Sequence, residues 1–192
     1  LALGFDTSAA HCAAALLRGD RILGHIFEEM TKGQAERLFP LLEGLLAGAG
    51  LTWRDLGVIG VGIGPGNFTG IRIAVAAARG LALSLGIPAV GVTATEAASL
   101  DLPRPCRIVL PLRADQVAWQ DFGQGAGDHP QQSAADALPP GPAPALPRVP
   151  PAVAIARIAL ARRADSGPRP APFYLRPADA APARDAAPLI LP

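Results

Sequence analysis

The chain has 192 residues, 17 basic against 16 acidic, a net charge of +1, and half of its residues are apolar. That is enough for one good core or two small lobes sharing an interface, and it excludes two large domains. A balance so near neutral gives no electrostatic reason for independent nucleic-acid binding. No run approaches the roughly 18 uninterrupted apolar residues of a membrane span, and the start lacks the basic segment of a signal peptide; the expectation is a cytoplasmic protein without a membrane partner.

In chain order, Leu1 to Thr7, Cys12 to Leu17 and Arg21 to Glu28 read as three meandering strands, with Gly19-Asp20 turning the second into the third. Gln34 to Ala49 carries Leu38, Leu41, Leu42, Leu45 and Leu46 at helical spacing, with Pro40 inside it as a kink or a short first turn. A strand at Val58 to Ile63, a helix at Thr69 to Leu85, a strand at Ala89 to Val92 and a helix at Thr93 to Leu100 follow. Strands are expected again at Arg107 to Leu112 and Val117 to Phe122. Residues 123–151 carry no convincing element, and prolines from Pro139 to Pro151 make the end of this stretch extended and unable to join a ladder. Ala152 to Ala164 is a plausible helix, and 178–192 is an Ala/Pro-rich tail of low complexity. Cys12 and Cys106 read as buried small hydrophobes. His11, His25 and His129 lack ligand spacing, so no metal site is expected.

The segment Gly64-Pro65-Gly66-Asn67-Phe68-Thr69-Gly70-Ile71-Arg72-Ile73 joins an apolar strand directly to a helix. Small residues before a helix N-terminus leave unpaired N–H groups and a positive dipole end, the ingredients of an anion site. The alternative is that the glycines only permit a tight reversal and close helix packing. A P-loop is excluded because no lysine opens the helix, and the dinucleotide fingerprint fails at its third glycine in every register.

With the opening Asp6-Thr7-Ser8 strand, this loop resembles the Gcp-like group of the actin, Hsp70 and sugar-kinase superfamily, and within it the TsaB (YeaZ) family. The likeness runs from Leu1 to about Leu100 and returns at Pro172-Phe173-Tyr174-Leu175-Arg176, similar to the family's P-x-Y-L-R signature. It implies an α/β, actin-like ATPase (ASKHA) fold. The first lobe, 1–101, is expected to be complete and to hold the glycine loop and dimerisation helices; the second, 102–177, is shortened. The order βββαβαβα is one half of the duplicated superfamily fold. Where the family usually has Asp-Ala-Arg, this chain has Pro111-Leu112-Arg113.

The resemblance also frames function. An active ATPase of this superfamily needs an acidic phosphate loop from each lobe; Asp6 supplies one, while Leu110 to Asp115 has no Asp-x-Gly. The catalytic paralogue, the TsaD transferase, carries an H-x-x-x-H metal pair, and Ala94 and Ala98 stand in its place here. Asp6, Ser8 and His11 have the residue types of a catalytic triad but lie in one strand-turn segment. The expectation is a non-catalytic scaffold, a pseudo-enzyme requiring no cofactor. It dimerises with the TsaD-type transferase, which moves threonylcarbamoyl to N6 of adenosine 37 in tRNAs that read codons beginning with A. A TsaE-type ATPase completes the assembly, tRNA is met only through the complex, and a homodimer is an alternative pairing.

The partner face implied by the resemblance comprises Leu38, Leu41, Leu42, Leu45, Ile71, Val75 and Ala78. ATP or ADP at the heterodimer junction would meet Asp6, Thr7, Gly64, Gly66, Asn67, Thr69 and Arg72. Two other readings stay open: an autonomous ATP- or metal-dependent enzyme of the same superfamily, and a self-associating binding module.

Overall fold

Five strands form a mixed sheet in the order β3-β2-β1-β4-β5: β1 (Ala2–Asp6), β2 (His11–Arg18), β3 (Arg21–Glu29), β4 (Val58–Gly62) and β5 (Ala89–Val92). The computed structural model describes residues 1–175. The first three strands pair as an antiparallel meander, and β4 and β5 add in parallel on the other side of β1. Strand alternation then sorts the side chains. Leu3, Phe5, Ile59 and Val61 enter one core, while Ala2 and Val58 enter a second core on the opposite face.

The first face is covered by α1 (Gln34–Gly48) and α2 (Phe68–Leu85). In α1 the leucines at helical spacing all point inward, and the helix continues unbroken through Pro40. In α2 the side chains of Ile71, Ala74, Val75 and Ala78 are buried, and Gly86 ends the helix at φ 66°, a conformation glycine adopts without strain. This helix is long and apolar enough by composition to cross a membrane, yet it carries Arg72 and Arg79 and lies along the sheet.

The second face is covered by α4 (Pro151–Ala161), whose proline at the first helical position is preset for a helix start. Gly4 and Gly60 are register partners on β1 and β4. A Cβ on Gly4 would come within 2.5 Å of the Ala152 carbonyl and 2.6 Å of the Ala156 nitrogen; one on Gly60 would come within 2.7 Å of the Ile155 carbonyl. With only hydrogens there, and Ala152, Ala156 and Ala159 opposite, helix and strand backbones meet at close packing. This corrects the division at residue 101: α4, assigned from sequence to the second lobe, closes the first sheet.

A separate antiparallel sheet consists of β6 (Cys106–Pro111), β7 (Gln116–Phe122) and β8 (Gln131–Ala134), joined to the rest through the short helix α3 (Ala94–Ala98). β8 corrects the expectation that 123–151 holds no element. Its Gln-Gln-Ser-Ala sequence has weak strand preference, but the free edge of β7 supplies a ladder from Gln116 to Trp119 that overrides propensity. The proline run is not wholly outside a ladder either: Pro144 bridges Arg107, and the Ala145 N–H donates to the Arg107 carbonyl at 2.8 Å.

Arg107 organises this region. Its buried guanidinium makes a two-pronged pair with Asp121, at 2.6 and 2.7 Å, and donates to the Pro139 carbonyl at 2.5 Å while lying over the Trp119 ring. Cys12 and Cys106 are buried free thiols, and burial, helped by Glu28, pushes Cys12 up to about 11, so it is protonated and inert at neutral pH. No helix or strand occurs in 166–175. Arg176 and the 178–192 tail lie outside the described residues.

Candidate functional site

A cleft of about 1370 Å³ is lined by residues of both sheets. One wall is the end of β1 and the glycine loop. The loop is pressed onto β1: a Cβ on Gly66 would strike the Ser8 carbonyl and one on Gly70 the Thr7 carbonyl, so these two positions require glycine for close approach. Thr7, fully buried, donates its hydroxyl to the Gly70 carbonyl at 2.7 Å and fastens strand to helix.

Three of the loop's backbone donors are used internally. The Asn67 N–H donates to the Ser8 carbonyl at 2.5 Å. Its side-chain oxygen caps α2 by accepting from the N–H groups of Thr69, at 3.0 Å, and Gly70, at 3.4 Å. Asn67 thus takes up two of the helix-start donors that the anion reading relied on. Of the seven residues expected to meet a nucleotide, Asp6, Gly66, Asn67 and Arg72 line the cleft, whereas Thr7, Gly64 and Thr69 do not. Thr7 and Gly64 are buried in the packing between the loop and its neighbours.

Asp6 is the only acidic residue among those lining the cleft. It accepts from the Ser8 N–H at 3.1 Å, the Ser8 hydroxyl at 3.0 Å and His11 Nε2 at 2.8 Å. An ionised carboxylate is an acceptor only, so His11 Nε2 carries the proton. Ser8, His11 and Asp6 therefore do converge, but with the carboxylate in the middle. The serine hydroxyl donates to the Asp6 carboxylate, not to His11, so the order differs from a Ser-His-Asp triad, in which the histidine stands in the middle.

Arg72 stands at the mouth. Its guanidinium lies 3.6 Å over the Phe68 ring, and its Nε donates to the Tyr174 hydroxyl at 2.9 Å. Tyr174 arrives on the strap after Pro172, which the Phe173 N–H ties to the Ile63 carbonyl at 2.8 Å. The opposite wall is the β6–β7 hairpin, closed by bonds between Leu112 and Gln116 and from Gln116 to Arg113. Ala114 and Asp115 at its tip both have left-handed φ, 55° and 56°. The floor includes the methyl groups of Ala94 and Ala98. Sequence reading grouped His11 with Asp6 and Ser8 and singled out the turn that holds Arg113, but it assigned neither His11, Arg113 nor Tyr174 to the expected nucleotide site, and all three line the cleft.

The seven residues expected on a partner face, Leu38, Leu41, Leu42, Leu45, Ile71, Val75 and Ala78, are buried in the chain's own core. That expectation is corrected: the leucine seam of α1 faces the sheet and α2. What the helix pair leaves open is a groove of about 410 Å³ lined by Ala35, Leu38, Phe39, Ile73, Ala76, Ala77, Gly80, Leu81 and Ser84. Phe39 beside it is 43% exposed and Leu83 farther along α2 is 81% exposed.

A sheet in this order, flanked by helices and facing a second small sheet across a cleft, defines a protein of actin-like ATPase fold. The family model for TsaD, tRNA N6-adenosine threonylcarbamoyltransferase, matches residues 21–104. An uncharacterized protein of Mycobacterium tuberculosis is 32% identical over 94% of this chain and 93% of its own length. The tRNA threonylcarbamoyladenosine biosynthesis protein TsaB of Buchnera aphidicola is 34% identical over 62% of this chain and 59% of its own. For TsaB of Escherichia coli the identity is 34% over 47% and 39%, so the match spans about half the length of the named TsaB relatives. The solved YeaZ of Pseudomonas aeruginosa superposes with a TM-score of 0.67 at 25% identity, over 84% of this chain and 92% of that one. The chain belongs to the TsaB (YeaZ) family.

Superfamily ATPases hold a metal-bound nucleotide in this cleft, and the residues here do not fit the metal. Asp6 already uses three of its roughly four acceptor positions, and the Gly62 backbone covers Oδ1 so closely that a Cβ would collide with it. Among the described residues no group of three His, Cys, Asp or Glu side chains is placed to hold a metal ion.

Proposed function

We propose that this chain is a non-catalytic subunit in the biosynthesis of tRNA threonylcarbamoyladenosine, acting in the cytoplasm by docking onto a TsaD-type transferase. The observation that carries this reading is the open apolar groove between α1 and α2, rimmed by Phe39. Apolar side chains left at a helix seam are stabilised by a second pair of helices, and a four-helix contact is the geometry that fits. The pathway is the one named for the TsaB relatives. A non-catalytic role is supported by Ala94 and Ala98 lining the cleft where the resemblance places a metal-binding histidine pair, and by Asp6, not a histidine, standing on Ser8. In this reading tRNA is met only through the complex, a TsaE-type ATPase binds the assembled pair, and the chain itself requires no cofactor.

The test is complex formation with the TsaD-type protein of the same genome, by size-exclusion chromatography with light scattering. A one-to-one heterodimer is expected with the natural chain. Ala76 lines the groove and is exposed, so Ala76→Glu places a carboxylate there without entering the core, and should weaken the complex at least about a hundredfold while leaving the melting curve intact. No heterodimer, or an Ala76→Glu variant that binds as well as the natural chain, overturns the reading; a homodimer through the same groove would favour the self-associating module instead.

A further inference from the structure

The five-stranded sheet ends on β3, and among the described residues no strand pairs with its outer edge. The Met30 N–H donates to the Ala10 carbonyl at 3.0 Å, which fixes the phase of the antiparallel ladder between β2 and β3. Bonded and non-bonded pairs alternate along such a ladder, so Gly24, Ile26 and Glu28 spend their N–H and C=O groups on β2, whereas His25, Phe27 and Glu29 direct theirs outward. The same three residues share one face of the sheet. They stand opposite Ala15, Ala13 and His11, on the side that α4 covers farther in, and all three are exposed. Phe27 is 45% exposed, with its ring 4.8 Å from that of His11. The bulge in this pairing lies at Leu16 and Leu17, and residues 24–29 contain neither proline nor lysine, so the devices that commonly close a free edge are missing from this stretch.

We propose that β3 pairs antiparallel with β3 of a second copy of this chain about a two-fold axis at Phe27, joining the two five-stranded sheets into one. The strand is its own complement in that register. Phe27 meets Phe27 of the second copy, and on each side of the axis His25 of one copy stands opposite Glu29 of the other, a ring N–H donor facing a carboxylate. Each of these pairs exchanges two backbone hydrogen bonds, because the groups that β2 leaves unused are the ones that face across. Glu28, whose charge would otherwise oppose an approaching strand, is already held by Arg37 of its own chain at 2.5 and 2.7 Å. The contact is isologous, so it closes at a dimer. None of these residues lines the groove between α1 and α2, so pairing and docking use separate surfaces. The edge is short, which makes the dimer weak and leaves the chain monomeric when dilute.

Sedimentation velocity of the isolated chain, from about 5 to about 500 µM, should show a monomer giving way to a dimer. Phe27→Lys sets two ammonium groups together on the axis and should weaken association more than about tenfold. Glu29→Lys should weaken it about tenfold, and adding His25→Glu to that variant should restore it. Residues 25 and 29 are about 13 Å apart along one strand, so the restoration can arise only between copies. Ala76→Glu, in the groove, should leave the equilibrium unchanged. Thermal melts verify the fold of each variant, and Glu29→Lys, on exposed surface, carries the test where Phe27→Lys does not fold. A monomer at every concentration, association unchanged in the lysine variants, no recovery on adding His25→Glu, or a dimer lost in Ala76→Glu overturns the proposal. Because no partner protein is present, none of these outcomes depends on the docking of the transferase.

Discussion

The two sheets are held together by different physics. The five-stranded sheet is buried on both faces, and its tightest contacts are between backbones: Gly4 and Gly60 under α4, Gly66 and Gly70 against the end of β1. The three-stranded sheet has few large apolar side chains and is tied to its proline-rich flank by one buried arginine, which reaches Asp121 and the Pro139 carbonyl together. The first sheet is therefore intolerant of added volume and of polar groups left without a partner. The second tolerates volume on its outer face but depends on Arg107.

Gly4→Val is the largest expected break. The added atoms would enter the space of the Ala152 carbonyl and the Ala156 nitrogen, which are helix backbone and cannot swing aside. Overpacking of this kind costs several kcal/mol, about 3 or more, a large part of a small domain's stability. We expect a chain that fails to fold at 37 °C or exposes α4 to protease, read by circular dichroism and limited proteolysis. A native melting curve would mean that α4 does not lie where the packing puts it.

That contact also explains what the sequence did and did not reveal. The five strands and two long helices were legible because Leu38 to Leu46 and Val58 to Ile63 carry clean periodicities. The position of α4 was not, since a run of alanine and isoleucine has no preferred face, and only the shared register of Gly4 and Gly60 indicates where it docks. β8 was illegible for another reason: its pairing is set by the open edge of β7, not by Gln131 to Ala134 themselves. In the cleft, the glycine loop was legible from its spacing, but the capping of α2 by the Asn67 side chain was not, because it depends on the loop's conformation. The partner face was misplaced because a leucine stripe marks where a helix is buried, and here what buries it is its own sheet.

The next effect in size falls on the second sheet. Arg107→Met keeps much of the packing against Trp119 but removes both bonds to Asp121 and the tie to Pro139. Breaking a buried pair leaves the partner carboxylate uncompensated; with Asp121 in part open to water the loss should be about 2 to 4 kcal/mol. Urea unfolding followed through the tryptophans should show the lower midpoint, and proteolysis should begin between Pro139 and Pro144. The five-stranded sheet should keep its protection against hydrogen exchange, since Arg107 makes no tie to it. Equal loss of protection in both sheets would show that they unfold as one unit and that the contrast between them is one of chemistry only.

The smallest effect sharpens the comparison at the point where the two regions meet. Ala114 holds a left-handed conformation at the tip of the cleft hairpin, where a residue with a Cβ is strained by roughly 1 to 2 kcal/mol. Ala114→Gly relieves that strain but adds freedom to the unfolded chain, so a net gain of about 0.5 to 1 kcal/mol in stability is expected, seen as a higher urea midpoint. An unchanged midpoint would mean that the entropy added to the unfolded chain cancels the relief, and a lower one that the Ala114 methyl group makes packing worth more than the strain it costs.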